Sequence, residues 1–324
     1  MPPGFVTDSL VETVILVLGA PRSGTTWLAK ILDSHPDVLY RHEPDEVIPA
    51  PAELEDAALR RLIAAWIAER GLRSAGKRPF FPKSWQSAPA RLLRTGLAHA
   101  VTAGERVLGA SRLAAAALPD LARDRPARAV IKSVRWSEGA PLLTRSLPAS
   151  RTFFILRHPC GQVASVMRGT GQRRFELREA GTDMPFHEGR AIAQAAAFGL
   201  DATEFQVLPD AAKYAWDWVA FNAPVLDAPA EQPNLRVVVY EDLCARPIPM
   251  AREIMAFAGL SWTSQTERFV SRSTTHEGRA GYYGVFRNAL AAAESWRGSM
   301  TQADQAAVRS VVQRSGLGRF WPDF

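Results

Sequence analysis

Residues 13–26 constrain the fold more than any other stretch of the chain: TVILVL runs straight into GAPRSGTT. The first six residues are apolar or β-branched and stop at Gly19, the pattern of a strand buried on both faces of a parallel sheet. From Thr25 onward, Trp27, Leu28, Ile31 and Leu32 fall at helical spacing until His35-Pro36 ends the run. The sequence therefore predicts a strand, a glycine-bounded turn and a helix. Such a turn aims free backbone N–H groups and the positive end of a helix dipole at one point, where an anionic group such as phosphate is favoured.

Further units follow. Residues 38–40 suit a second strand, and 129–134 (AVIKSV) and 152–156 (TFFIL) suit buried strands. The latter runs into RHPCGQVASVMRG, whose Pro159 belongs in the first turn of a helix. Residues 235–240 (LRVVVY) form a last clear strand, with a helix expected over 247–257. Strands alternating with helices imply an α/β fold, a parallel central sheet with flanking helices that binds ligands at the strands' C-terminal ends. Residues 50–127 are Ala- and Leu-rich and include the amphipathic ELEDAALRRLIAAWIAER, which predicts a helical insertion. Residues 169–212 are irregular and charged, and read as a variable loop or lid. No Gly/Ser/Pro-rich linker divides the chain, so residues 1–324 read as one domain.

The composition is 47% hydrophobic, enough for a core and too much for a disordered chain. The net charge is +6, and only five of the 39 basic side chains are lysine. Guanidinium suits bidentate recognition of phosphate or sulfate, although a GC-rich coding bias also yields an Ala- and Arg-heavy chain. A nucleic-acid partner would need a clustered basic face or an aromatic platform, and neither is written as a motif. Cys160 and Cys244 stand apart from any CxxC or Cys/His cluster, so both are expected as small buried side chains with no metal role. No apolar run reaches the roughly 18 residues of a membrane helix, and residues 14–20 lack the basic flank of a signal peptide. No integral membrane segment is expected, and a cytoplasmic location is the default.

The loop keeps the GxxxxG spacing of a Walker A motif but has Thr25 at the lysine position and Thr26 at the Ser/Thr position. A degenerate P-loop kinase or NTPase is thus one reading; the missing lysine counts against it, and a metal-free transfer between oxyanions fits better. The stretch Pro21-Arg22-Ser23-Gly24-Thr25-Thr26-Trp27 closely resembles the 5′-phosphosulfate loop of sulfotransferases that use 3′-phosphoadenylyl sulfate (PAPS). A second signature of that family is an Arg at a strand end followed eight residues later by a Ser, both gripping the nucleotide 3′-phosphate; Arg157 and Ser165 match it. His158 and Cys160 replace the Asp and Arg common beside that Arg. The segment VVVYEDLCARP resembles the family's YEDL stretch and makes Tyr240 a candidate contact for the adenine. Near the C-terminus, SWRG resembles a Trp-basic motif that closes on the 3′-phosphate, with Arg287 and Arg297 both qualifying. Arg22 in the loop, the HPDV segment leading to Glu43, and Lys132 resemble the carbohydrate and tyrosyl-protein branch more than the aryl and steroid enzymes.

This resemblance implies a P-loop nucleotide-kinase-like sulfotransferase fold, PAPS as co-substrate and no metal. Ser23, Gly24, Thr25, Thr26 and Trp27 would hold the 5′-phosphosulfate, and Arg22 and Lys132 would neutralise charge developing on the sulfuryl group. Glu43 is placed to take the acceptor proton, with Asp45 and Glu46 as substitutes. His35 reads as a capping or surface residue, and His187 as a possible acceptor contact. The acceptor is expected to be a small-molecule, glycan or lipid-linked hydroxyl, and the chain a monomer or homodimer. Trp66, Phe80, Phe81 and Trp85 suit an apolar pocket, but such aromatics more often belong to a core.

Overall fold

The computed structural model describes residues 6–51, 54–108, 117–124, 126–136, 139–171, 186–227, 232–275 and 288–321. The strands are β1 (Ile15–Leu18), β2 (Val38–His42), β3 (Arg128–Lys132), β4 (Arg151–Leu156) and β5 (Leu235–Val239). They pair in parallel in the order β2-β3-β1-β4-β5, the parallel central sheet expected from the sequence. The chain leaves central β1 toward one edge and later crosses to the other, so the switch point lies beyond the C-terminal end of β1. The register brings the functional positions to that edge. Lys132 is opposite both Val17 and His42, and Leu156 is opposite Val239, which puts the residues that follow, Arg157 and Tyr240, side by side.

Strand alternation divides the core. Ile15 and Val17 join the layer that contains the helices Thr25–Asp33, Pro247–Phe257 and Ser264–Thr274. Leu16 and Leu18 face the opposite layer, built on the helices Asp56–Ala68 and Ala140–Ser146. Covered on both faces, β1 must be apolar throughout, and all four residues are fully buried. A third cluster packs the helices Pro159–Gly171, Glu188–Ala197, Asp210–Leu226 and Gln302–Arg314. Cys160 and Cys244 are buried and unbridged, and burial pushes the Cys160 thiol up to about 12. Among the described residues no helix is long and apolar enough to cross a membrane.

The insertion is helical as expected, with Asp56–Ala68, Leu72–Ala75 and Ala88–Leu108. The stretch read as irregular differs in part, since Glu188–Ala197 and Ala202–Gln206 are helices. The first buries only the small side chains Ala191 and Ala195, leaving no large apolar period to read. A capping box between Asp201 and Glu204 starts the second.

Two glycines of the loop are required by geometry. Gly19 has φ +149°, and a Cβ there would lie 2.6 Å from the Ile155 carbonyl oxygen. Gly24 has φ +105° at the N-cap of Thr25–Asp33, and its Cβ would lie 2.6 Å from Tyr240 Cδ2. Gly24→Ala is therefore expected to cost about 1–3 kcal/mol and to lower the melting temperature measured by calorimetry.

Candidate active site

The loop from Gly19 to Gly24 wraps the end of β1 and hands over to the helix Thr25–Asp33. Arg22 itself has φ +72°, an uncommon backbone for a residue with a side chain. Its carbonyl accepts a hydrogen bond from Arg157 Nη1 at 2.9 Å, and its Nε donates to Ser165 Oγ at 3.2 Å. Three residues from two separate sequence motifs thus meet. Ser23 is fully buried, and its Oγ has no hydrogen-bond partner. A buried hydroxyl without a partner, in a glycine-bounded loop at a helix N-terminus, suits an anion cradle.

Trp27 and Tyr240 lie behind this loop. The Trp27 indole donates to Ser273 Oγ at 3.0 Å and meets Tyr240 edge to face, with ring centroids 6.2 Å apart. The Tyr240 ring packs against Gly24 and sits under the Arg157 guanidinium, 4.8 Å from its centroid. Both aromatics brace the cradle from the core side.

Glu43 follows β2 with φ +48°, and its N–H donates to the Lys132 carbonyl at 2.8 Å. Its Oε1 is ion-paired with Lys132 Nζ, and its Oε2 lies 3.8 Å from His42 Nε2. Burial opposes ionisation of Glu43, and the charge and hydrogen bond of the Lys132 ammonium act against it. The carboxyl is held below the usual carboxylate range. Glu43 therefore adds stability that is full above its ordinary value of 4.5 and lost as pH falls below that toward the native value. In acid titrations, the stability gap between wild type and Glu43→Gln is expected to narrow below pH 4.5 and to stay constant just above it.

Several contributors have no signature in the sequence. The Tyr40 hydroxyl is 2.7 Å from His42 Nδ1. Burial keeps His42 neutral by pushing its pKa well down, and keeps Tyr40 protonated by pushing its pKa well up. The arrangement that satisfies both neighbours has Tyr40 donating to Nδ1 and Nε2–H facing Glu43. Asp45 accepts from Ser133 Oγ at 2.6 Å, and its other oxygen is buried without a partner. Burial raises the Asp45 carboxyl. Glu46 instead turns to Arg73 and Arg135. The only local signal for this group was the charged run EPDE itself.

Arg157 is buried, its Nη2 donates to the Ala292 carbonyl at 3.1 Å, and its Nε has no partner. Trp218 Nε1 donates to the Arg157 carbonyl at 3.1 Å. His158 stacks on Trp296 at 4.4 Å, and burial, with Arg297 and Arg157 nearby, lowers it to about 3. Arg297 is exposed and lies over the Trp296 ring, 4.7 Å from its centroid, so the Trp-basic motif reaches the Arg157 region through this stack. Arg287 lies outside the described residues. His35 is buried rather than at the surface: it accepts from Asp37 N–H at 3.2 Å and contacts Ser261 Oγ at 3.1 Å.

Human carbohydrate sulfotransferase 1 is 24% identical over 96% of this chain and 80% of its own length. Human carbohydrate sulfotransferase 3 is 38% identical over 25% of this chain and 18% of its own length. Among solved structures, mouse sulfotransferase SULT7A1 complexed with PAP has a TM-score of 0.46 at 14% identity, covering 98% of this chain and 93% of that one. The sulfotransferase domain from the curacin biosynthetic pathway has a TM-score of 0.43 at 14% identity, covering 94% and 97%. The family model described as "Sulfotransferase family" matches residues 14–264, from the strand before the loop to beyond the YEDL segment. The chain belongs to the sulfotransferase family.

Proposed function

We propose that the protein transfers the sulfuryl group of PAPS to a hydroxyl of a glycan or small-molecule acceptor, releasing adenosine 3′,5′-bisphosphate (PAP). The observation that carries this reading is the convergence of Arg22, Arg157 and Ser165 beside a buried, unpartnered Ser23 hydroxyl. The unpartnered Nε of Arg157 and Oγ of Ser23 are two donors that oxyanions of the nucleotide would satisfy. The names of the two human relatives favour a sugar hydroxyl as acceptor.

In this reading, Ser23, Gly24, Thr25 and Thr26 hold the 5′-phosphosulfate through loop amides and hydroxyls. Arg157, Ser165 and Arg297 hold the 3′-phosphate. Glu43 removes the acceptor proton as the acceptor oxygen bonds to sulfur and the bond from sulfur to the 5′-phosphate oxygen breaks, its electron pair leaving on PAP. Arg22 and Lys132 balance the charge that builds on the sulfuryl and bridging oxygens. The ion pair reconciles a base role with a depressed pKa: donor anions draw Lys132 from Glu43, whose carboxylate becomes more basic once burial is less opposed.

A kinase needs the loop lysine. The lysine of the following helix, Lys30, is held instead by Asp33 at 2.7 Å and the Lys77 carbonyl at 2.7 Å, so it does not stand in for it. The test is PAP release from PAPS across a panel of sugar and small-molecule hydroxyls. Acceptor-dependent release is expected, and Arg157→Ala should weaken PAP binding about 10- to 100-fold by calorimetry. Release that no acceptor stimulates, with ATP consumed instead, would overturn the reading.

A further inference from the structure

A cavity of about 30 Å³ lies between the helix Thr25–Asp33, β2 and the helical insertion. Its charged wall is formed by Lys30, Arg41, Lys77, Lys83 and Arg94, against the single carboxylate of Asp33. Burying that many cations is unfavourable unless each finds a counter-charge. Arg41 has one, a bidentate pair with Asp120 at 3.1 and 2.7 Å. Lys30 and Lys83 share Asp33, at 2.7 and 2.8 Å, and spend their remaining donors on backbone carbonyls.

Arg94 differs. Its Nη2 donates to the Ala75 carbonyl at 2.6 Å and its guanidinium lies 5.3 Å from the Phe80 ring centroid. Its Nε is buried and has no hydrogen-bond partner. Among the described residues no carboxylate lies within 4.0 Å of it. Burial pushes Arg94 down, and pushes Lys30 down to about 8.

We propose that this cavity binds a small oxyanion, a carboxylate or sulfate group, against Arg94. Tyr40 forms part of the wall and precedes Glu43 by three residues, about 10 Å along an extended strand. An acceptor whose hydroxyl sits at Glu43 and whose acidic group reaches this cavity is one source of the anion. A free inorganic anion has the same chemistry and is the other source.

The binding arm of the test is independent of the sulfotransferase reading, and the kinetic arm rests on it. The full chain is melted with PAP saturating, so that the loop is filled, in sodium sulfate against sodium chloride at matched ionic strength. The expected result is a saturable rise in Tm of about 2 °C or more in sulfate, abolished by Arg94→Met. The melting temperature of Arg94→Met in chloride and its PAP response are measured alongside, so that loss of the sulfate response is read only in a folded variant. A normal PAP response with no sulfate-specific rise, or a rise that Arg94→Met retains, overturns the proposal. A missing PAP response counts against the donor reading instead. In the kinetic arm, a tenfold or greater rise in KM for uronate-bearing but not neutral sugars in Arg94→Met assigns the site to the acceptor. An unchanged KM alongside intact sulfate binding assigns it to a free anion.

Discussion

Glu43→Gln is expected to lower turnover by about 10²- to 10⁴-fold while leaving PAP affinity within a few-fold of wild type. The isostere keeps the volume beside Lys132 and removes only the capacity to accept a proton. It also leaves the buried Lys132 ammonium without its counter-ion, at a cost of about 3–5 kcal/mol by comparison with other broken buried pairs. Single-turnover rates at saturating PAPS separate the two effects, since donor anions restore a partner to Lys132. A variant that folds, binds PAP and turns over at the wild-type rate would remove Glu43 from the mechanism. Asp45, with a raised pKa and one unpartnered oxygen, would then be the carboxylate to test.

Lys132→Met should cost about 10²- to 10³-fold in kcat through lost charge stabilisation. It should also move the acid limb of the pH profile. Without the ammonium, burial acts on Glu43 less opposed and its pKa rises, so the limb shifts toward higher pH. Because the two side chains form one unit, the double variant Glu43→Gln with Lys132→Met should be little worse than the poorer single variant. Strictly multiplicative losses would mean that the two residues act independently. A parallel pH profile of His42→Gln tests whether the imidazole Nε2–H steadies the same carboxylate.

The sheet and the loop were legible in the sequence because both rest on local rules. A strand buried on two faces must be continuously apolar, as residues 15–18 are, and a turn at φ +149° and +105° requires Gly19 and Gly24. The meeting of Arg22 with Arg157 and Ser165 was legible only through resemblance, since 135 residues separate the two arginines and no local pattern joins them. The Lys132–Glu43 pair depends on strand register, which sets His42 opposite Lys132 across β2 and β3. Arg41 is fully buried in a strand because Asp120 neutralises it from 79 residues away. Phe80, Phe81 and Trp85 line the cationic cavity, while Trp66 and Trp85 are both buried in one core cluster. Long-range charge pairing of this kind has no period to detect. Several of the remaining arginines meet protein carboxylates instead, as Arg60 does with Glu12 and Arg190 with Asp217.

Thermal denaturation of the full chain with PAP, set against ATP plus Mg²⁺, tests the central claim most directly. At PAP near 100 times its dissociation constant, a one-site ligand should stabilise the fold by about 2.7 kcal/mol, and ATP with Mg²⁺ should give much less. No response to PAP together with a clear response to ATP and Mg²⁺ would contradict the account.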